Sequence, residues 1–455
     1  MFYIDKETPL TPELLSKMLN AFVSESARLQ RYKNYYDGQQ DILTKFSNTG
    51  DSLAQPQNKT VINYAAQIAN NYCGYLATPG YISYSSENDI EDIMNVLRYN
   101  DYQAQDAAYT LNLLVYGKAV ELMFNDGKAQ TRFKLINPGT CFGVYDDGLT
   151  EDLLYFVRFY KANQWDNSEL YYLDVYDDVV IKHYKMTGMS GIPVFMGEEP
   201  HYFGQCPANI AYLPDEKSIF DCIMNKQDAI NELISAEITD YQAFADAYMV
   251  IEGDAYFDNI TRDERDGLTD VERMRKNRMI QVPTGAEVKY LTKNANDTQV
   301  ENIRKFLHDS IYRDAQCPDF SSESFTGGVS SGVAIRYKLT GMENRAGMIE
   351  AIMKKAFQRR VEIICGVAAL KLGEEVFRDI QIECKRNIPD DITATINLIN
   401  SLKGSVSDAT LLGQLPFIND VNAELEALQE QKAANMELYG FGLPTAADDE
   451  EEETE

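Results

Sequence analysis

Apolar side chains recur at positions 335, 339, 342, 346, 349, 353, 356, 363, 367 and 370, in alternating steps of four and three. That spacing predicts one stripe of a long helix, about 40 residues and roughly 60 Å from end to end. Only Arg360 interrupts the stripe. Gly341, Gly347 and Gly366 fall inside it. Each costs about 1 kcal/mol against alanine, so a bend or a close neighbour is expected there. Before the helix, Pro318 to Gly332 is rich in Ser and Gly and reads as a mobile loop, with Ser330 or Ser331 as the helix N-cap. A long helix behind a Gly-Gly loop suits an assembly in which copies of the helix lie side by side.

The remaining pattern alternates between helix and strand. Helical periodicity covers residues 10–46, opened by Pro12 and Glu13 and closing on Gly38, then an apolar-faced helix ending at Gly74, then a pair across 87–116. From Lys118 to Tyr184 the period becomes two. Runs such as KAVELMF, TRFKLI and LLYFVRFY are separated by NDG, NPG and DDG, the signature of hairpins in an antiparallel sheet. Helices are expected again at 215–247 and 295–316, bracketing a small mixed insert. This reads as an antiparallel pair carrying a module at its far end. One strand follows the long helix, then further helices across 391–435 around the turn LKGSVS. The end, ADDEEEETE, is an acidic tail expected to be disordered.

Composition narrows the function. The chain has 455 residues, 11% aromatic, with 29 Tyr and one Trp, so a packed core is expected. Seven dispersed Cys without a CxxC pair argue against a zinc site or a disulfide framework and for a reducing compartment. No apolar run reaches membrane-span length, and the start MFYIDKETPLTPELL lacks a signal-peptide pattern. The net charge of −29 excludes nucleic-acid binding by the average surface, although such a surface could guide DNA by repelling it. His183, His201 and His308 share no metal-ligand spacing. There is neither a phosphate-binding GxxxxGK[ST] nor a GxSxG elbow, and Gly327-Gly328 lacks the Lys-Ser/Thr that would follow. No catalytic residue, metal or cofactor is expected, and a structural or binding protein is.

Four stretches, in order, carry a resemblance to the portal proteins of tailed bacteriophages, in the branch of long-tailed phages of Gram-positive hosts. They are NKTVINYAAQIANNYCGYLATPGY from Asn58, DYQAFADAYMVIEG from Asp240, SSGVAIRYKLTGMENRA from Ser330 and LLGQLPFINDVNAELEAL from Leu411. The third is the closest match, and with the parts between them the stretches span roughly 10–435. Tyr337 and Thr340 depart from the family's usual residues.

The resemblance implies an α+β, mainly helical, elongated subunit with wing, stem, clip and crown, forming a ring of probably twelve copies at one capsid vertex. Double-stranded DNA would pass through without sequence-specific binding. The terminase large subunit, capsid and scaffolding proteins, and head-completion or adaptor proteins would dock on it. It would reside in the virion, and in the host cytoplasm during assembly. By this likeness 1–214 is the wing, 215–247 and 295–317 the stem helices, and 248–294 the clip. Residues 318–332 are the tunnel loop, 333–373 the long helix, 374–390 a wing strand, 391–435 the crown and 436–455 the acidic tail. The loop's DNA-facing candidates are Ser321, Ser322, Glu323, Ser324, Thr326, Gly327, Gly328 and Ser330. The clip candidates are Asp263, Glu264, Arg265, Arg273, Arg275 and Lys276, in a stretch, 254–293, balanced at eight acidic and eight basic residues.

Residues 333–372 hold eight Lys or Arg against three Glu. Arg336, Lys338, Arg345, Lys354, Lys355, Arg359 and Arg360 are therefore candidates for facing DNA or for pairing with acids on neighbouring subunits. The second is preferred, because a tight grip on phosphates would brake a sliding polymer. The competing function class is a coiled-coil-like scaffold or adaptor without a DNA path, supported by the striped helix and the acidic tail.

Overall fold

The computed structural model describes residues 1–45, 58–161, 169–245, 249–252, 279–282, 297–322, 332–367, 376–387, 399–413 and 421–438, with the single residues 165, 325, 396 and 415. The chain is α+β and divides into two compact units. The first comprises Met1–Gly328 and Tyr337–Asn387, the second Val329–Arg336 and Ile388–Glu455.

The first unit is built on two sheets. Strand β1 (Phe2–Ile4) runs parallel to β5 (Cys141–Asp146). From β5 an antiparallel meander continues through β6 (Leu153–Lys161), β7 (Leu170–Tyr176), β8 (Val180–Thr187) and β9 (Val194–Pro200). The second sheet has the order β10 (Ala208–Tyr212), β3 (Lys118–Asn125), β4 (Thr131–Ile136). Val120, Leu122 and Ala208 from the second sheet bury against Cys141, Phe156 and Tyr176 from the first. Two of the three turn signals close hairpins, NDG between β3 and β4 and DDG between β5 and β6. The third, NPG, is a single 3₁₀ turn at Pro138–Thr140 that carries the chain from one sheet to the other. Alternation alone does not separate these two connections, because both flanks look like half-buried strands.

Helices cover the sheets. Helix α1 (Pro12–Tyr36) is capped by Thr11, whose side chain accepts from the Leu14 amide, and its Phe22 packs on Phe142 and Phe159. A short helix α2 (Ile42–Lys45) follows. Helix α3 (Tyr64–Leu76), capped by Asn63, runs through Gly74 rather than ending there. Strand β2 (Ile82–Ser85) pairs with a late strand, β11 (Gln381–Cys384). Helices α4 (Glu91–Tyr99) and α5 (Tyr102–Tyr116) complete the layer. Gly117 ends α5 at φ +70, and a Cβ there would lie 2.5 Å from the carbonyl carbon of Lys217. Only glycine fits that approach.

The predicted helix 215–247 is α6 (Met224–Ala245), nine residues later at its start. Asp215 and Glu216 hold φ of 57° and 52°, so the chain turns there before a 3₁₀ turn leads into the helix. Its partner α7 (Asp297–Asp314) runs antiparallel to it, with Asp314 at its end bonded to Lys226 at the start of α6. Beyond the pair, Met249–Glu252 and Met279–Val282 form a parallel two-stranded ladder.

The long helix, α8 (Gly332–Cys365), has 34 residues, about 50 Å. It buries the forecast stripe at Leu339, Met342, Ala346, Ile349, Met353, Ala356 and Ile363. It stops at Gly366, where a Cβ would lie 2.6 Å from the carbonyl oxygen of Phe203. In the second unit Ser407 caps the helix Asp408–Leu412, and the helix Val421–Leu438 follows.

Candidate functional site: the central helix and its attachments

Three arginines fasten helix α8 to the rest of the first unit. Arg360 lies on the buried stripe at the position where the apolar pattern breaks, and it is wholly buried. Its Nε and Nη2 donate to the two carboxylate oxygens of Glu121 on β3, at 2.8 and 3.0 Å. Its Nη1 donates to Asp106 on α5 and, at 3.2 Å, to the hydroxyl of Tyr84 on β2. Tyr84 in turn donates to Asp106 at 3.0 Å, and Asn209 on β10 donates to Glu121 at 3.3 Å. The ring centres of Phe133 and Phe357 lie 4.7 and 4.8 Å from the guanidinium carbon. Burial pushes the Asp106 carboxyl above its ordinary range although Arg360 pulls it down. Burial would likewise lower the Arg360 guanidinium, but Asp106 and Glu121 outweigh it and keep it charged. A buried cation of this kind needs every donor satisfied, and this one meets acceptors from three elements.

Arg345 is half-buried. It donates to two main-chain oxygens, Ala315 at 3.0 Å and Ile219 at 2.9 Å. Ala315 follows the last turn of α7, and Ile219 lies just ahead of α6. One guanidinium therefore holds both roots of the antiparallel pair, where a cation complements the free carbonyls of a helix C-terminus. Tyr72 on α3 lies under the guanidinium and donates to Ala315 and Gln316.

Arg386, just past β11, completes the set. It meets Glu343 at 2.9 Å and Glu350 at 2.6 Å and lies over Tyr75, which itself bonds to Glu343. Partial burial would raise the Glu343 carboxyl; hydrogen bonds from Arg386 and Tyr75 outweigh it and hold it below its ordinary range.

The candidate cations therefore divide. Arg360 is a correction to its expected role: it is enclosed by Asp106 and Glu121 of its own chain and presents nothing to DNA or a neighbour. Arg345 also turns inward. Lys354 pairs with Glu350 at 2.8 Å. Arg359 meets Glu362 at 2.9 Å and Gln205 at 2.5 Å. Lys338 sits over the Phe325 ring at 5.4 Å. Arg336, Lys338 and Lys355 are exposed.

Of the loop candidates, Ser321 and Ser322 are placed in a turn organised by Asp319. The Ser321 amide and hydroxyl donate to the Asp319 carboxylate, and the Ser322 hydroxyl donates to its main-chain oxygen. Phe320 and Phe325 stack edge to face at 4.9 Å. Glu323, Ser324, Thr326, Gly327, Gly328 and Ser330 lie outside the described residues, as do the clip candidates Asp263, Glu264, Arg265, Arg273, Arg275 and Lys276. Asp106, Glu121, Tyr84 and Arg386 were not forecast. One signal for Glu121 was visible: it is the lone acid in the apolar run KAVELMF. Among the described residues there is no cluster able to hold a metal, and no helix is long and apolar enough to cross a membrane.

The sequence pattern of one family, described as phage portal protein, SPP1 Gp6-like, matches residues 15–438. The chain is 20% identical to the portal protein of Bacillus phage SPP1 over 458 aligned positions, covering 97% of this chain and 88% of that protein. It is 19% identical to the portal protein of Clostridium phage phiCD119, covering 92% and 96% of the two. The chain belongs to this family of phage portal proteins.

Proposed function

We propose that this portal-family chain is one subunit of a closed ring through which double-stranded DNA enters and leaves a phage capsid. The observation that carries the reading is the family match across nearly the whole chain. In this reading α6 and α7 are the stem, with the clip at their far end around residues 248–294. The two sheets and their helices are the wing, 318–332 is the tunnel loop, and 391–435 is the crown. Twelve copies surround the channel. The terminase large subunit docks at the clip during packaging, and head-completion proteins take its place afterwards. The ring is structural: the terminase supplies the ATP-driven work.

The charge of the chain supports a sliding path. A net −29 gives the phosphates little to bind, and each neutralised phosphate would add salt-dependent friction. The inward commitment of Arg345 and Arg360 leaves fewer cations on the long helix to grip DNA. End-on negative-stain images of the purified protein test the proposal. Closed rings with an axial hole are the expected result; dimers or fibres overturn it.

A further inference from the structure

We infer that two exposed surfaces of the first unit are the two sides of one contact between copies: strand β9 of one copy seats on the outward face of helix α8 in the next. The inference rests on the ring reading above and names the surfaces that close it.

Strand β9 is the outer strand of the six-stranded sheet, with β8 on one side only. Edge strands are normally blunted by charge or shortness. Here Val194, Phe195 and Met196 are each more than half exposed, and Ile192 just before them is too. The first half of the strand is thus apolar on both faces and more than half exposed, with Phe195 resting edge-on against Tyr184 of β8. Glu198 and Glu199 follow on the same strand, also exposed.

The second surface is the side of α8 away from its buried stripe. Tyr337, Gly341, Asn344, Met348, Ala351 and Lys355 recur in alternating steps of four and three, and all are exposed. Tyr337 is 77% and Met348 60% exposed. Gly341 and Gly347 flank them, and a Cβ on either would meet nothing within 4 Å. The close approach that explains Gly366 is therefore lacking at these two among the described residues. From Tyr337 to Lys355 the exposed charged residues are Lys338 and Lys355, while Glu343, its side chain still 44% exposed, and Glu350 bond to Arg386.

The surfaces differ in shape and are opposite in charge. Pairing like with like would set glutamate against glutamate or lysine against lysine. Pairing unlike surfaces sets acid beside cation and apolar strand on apolar helix. A contact between two different patches of one chain is head-to-tail, the kind that propagates around a ring instead of stopping at a dimer.

Replacing Phe195 with the photocrosslinker p-benzoyl-phenylalanine tests this on the full-length protein. Rings are assembled from isotopically light and heavy copies, and the crosslinked peptides are read by mass spectrometry. The expected links join Phe195 of one copy to residues 337–355 of another. Rings that give no link, links within one chain, or links to residues 388–455 overturn the assignment while leaving the ring standing. Absence of rings from the unsubstituted protein overturns the ring reading itself. A second arm uses Met348→Glu, which puts a carboxylate on the exposed helix face. It is expected to weaken ring formation by about tenfold or more, as loss of a central apolar contact does, with no change in the subunit's unfolding midpoint. Full ring yield from Met348→Glu also overturns the assignment.

Discussion

The two halves of helix α8 are attached in opposite ways. From Ala356 to Ile364 a wide arc of the helix is enclosed, since Ala356, Phe357, Arg360, Val361, Ile363 and Ile364 are all buried. From Tyr337 to Lys355 the buried positions form one narrow line, Leu339, Met342, Ala346, Ile349 and Met353. Each half has its arginine. Arg360 is locked among carboxylates, a tyrosine and two phenyl rings against the three-stranded sheet and α5. Arg345 reaches main-chain carbonyls at the root of the helix pair, near a surface groove lined by Met348 and Ile352. A helix of one regular geometry is thus enclosed at one end and exposed along most of its circumference at the other. The difference is made by the neighbours, because the helical period itself does not change.

The largest expected effect comes from breaking the fixed end. Arg360→Met leaves Asp106 and Glu121 buried without their cation, and removing one partner of a buried pair costs about 3–5 kcal/mol. The variant should unfold at markedly lower urea, followed by circular dichroism. Adding Asp106→Asn and Glu121→Gln removes the stranded charges and should recover much of the loss. Asp106→Asn alone should cost less than Arg360→Met, because Arg360 keeps its two hydrogen bonds to the Glu121 carboxylate. If Arg360→Met unfolds no earlier than a matching change at Arg345, the contrast between the two halves is broken.

Arg345→Met is the matching change, and its effect should be intermediate. It removes two charge-assisted hydrogen bonds, each worth about 1.5–3 kcal/mol at most, from a site that water can partly re-satisfy. The expected signature is local. Amide exchange should quicken at residues 314–317 and 219–223, where the two helix roots lose their common anchor. Exchange in β3 and α5, around Arg360, should stay as it was. Uniform quickening across the unit would show that Arg345 serves the whole core and not the helix pair alone.

Much of this arrangement was legible in the sequence. The stripe from 339 to 363 was visible because an amphipathic helix writes its buried face at fixed spacing. The helix pair and the hairpins were visible for the same reason of period. What the pattern hid was long-range pairing. Arg360 looked like a flaw in the stripe, yet it sits on the buried face, and its partners Asp106 and Glu121 are 254 and 239 residues away in sequence. Periodicity carries no information about which distant carboxylate meets which cation. The same limit made the helix cations look available to neighbours, when Arg345 and Arg360 are committed within the chain. The start of α6 was misplaced because an acidic turn after proline resembles a helix N-terminus, whereas Asp215 and Glu216 are left-handed. The parallel pairing of β1 with β5 left no mark, since three residues are too few to show a period.

The smallest effect should come from Arg359, the neighbour of Arg360 in sequence and its opposite in setting. Arg359 faces the rim, about one-third exposed, bonded to Glu362 one turn on and to Gln205. Arg359→Glu would place two carboxylates three residues apart, a repulsion worth roughly 0.2–0.5 kcal/mol on a helix surface. Gln205 offsets part of this, because its amide can turn and donate to the new carboxylate. The net loss should stay below about 1 kcal/mol, as for exposed ion pairs in general. It should shrink further in 1 M salt, where charges are screened within about 3 Å. Urea unfolding of Arg359→Glu beside Arg360→Met, at low and high salt, makes the comparison between adjacent residues of one helix turn. A loss at Arg359 as large as that at Arg360 would mean that the fixed half is held by the whole turn and not by the buried side of it.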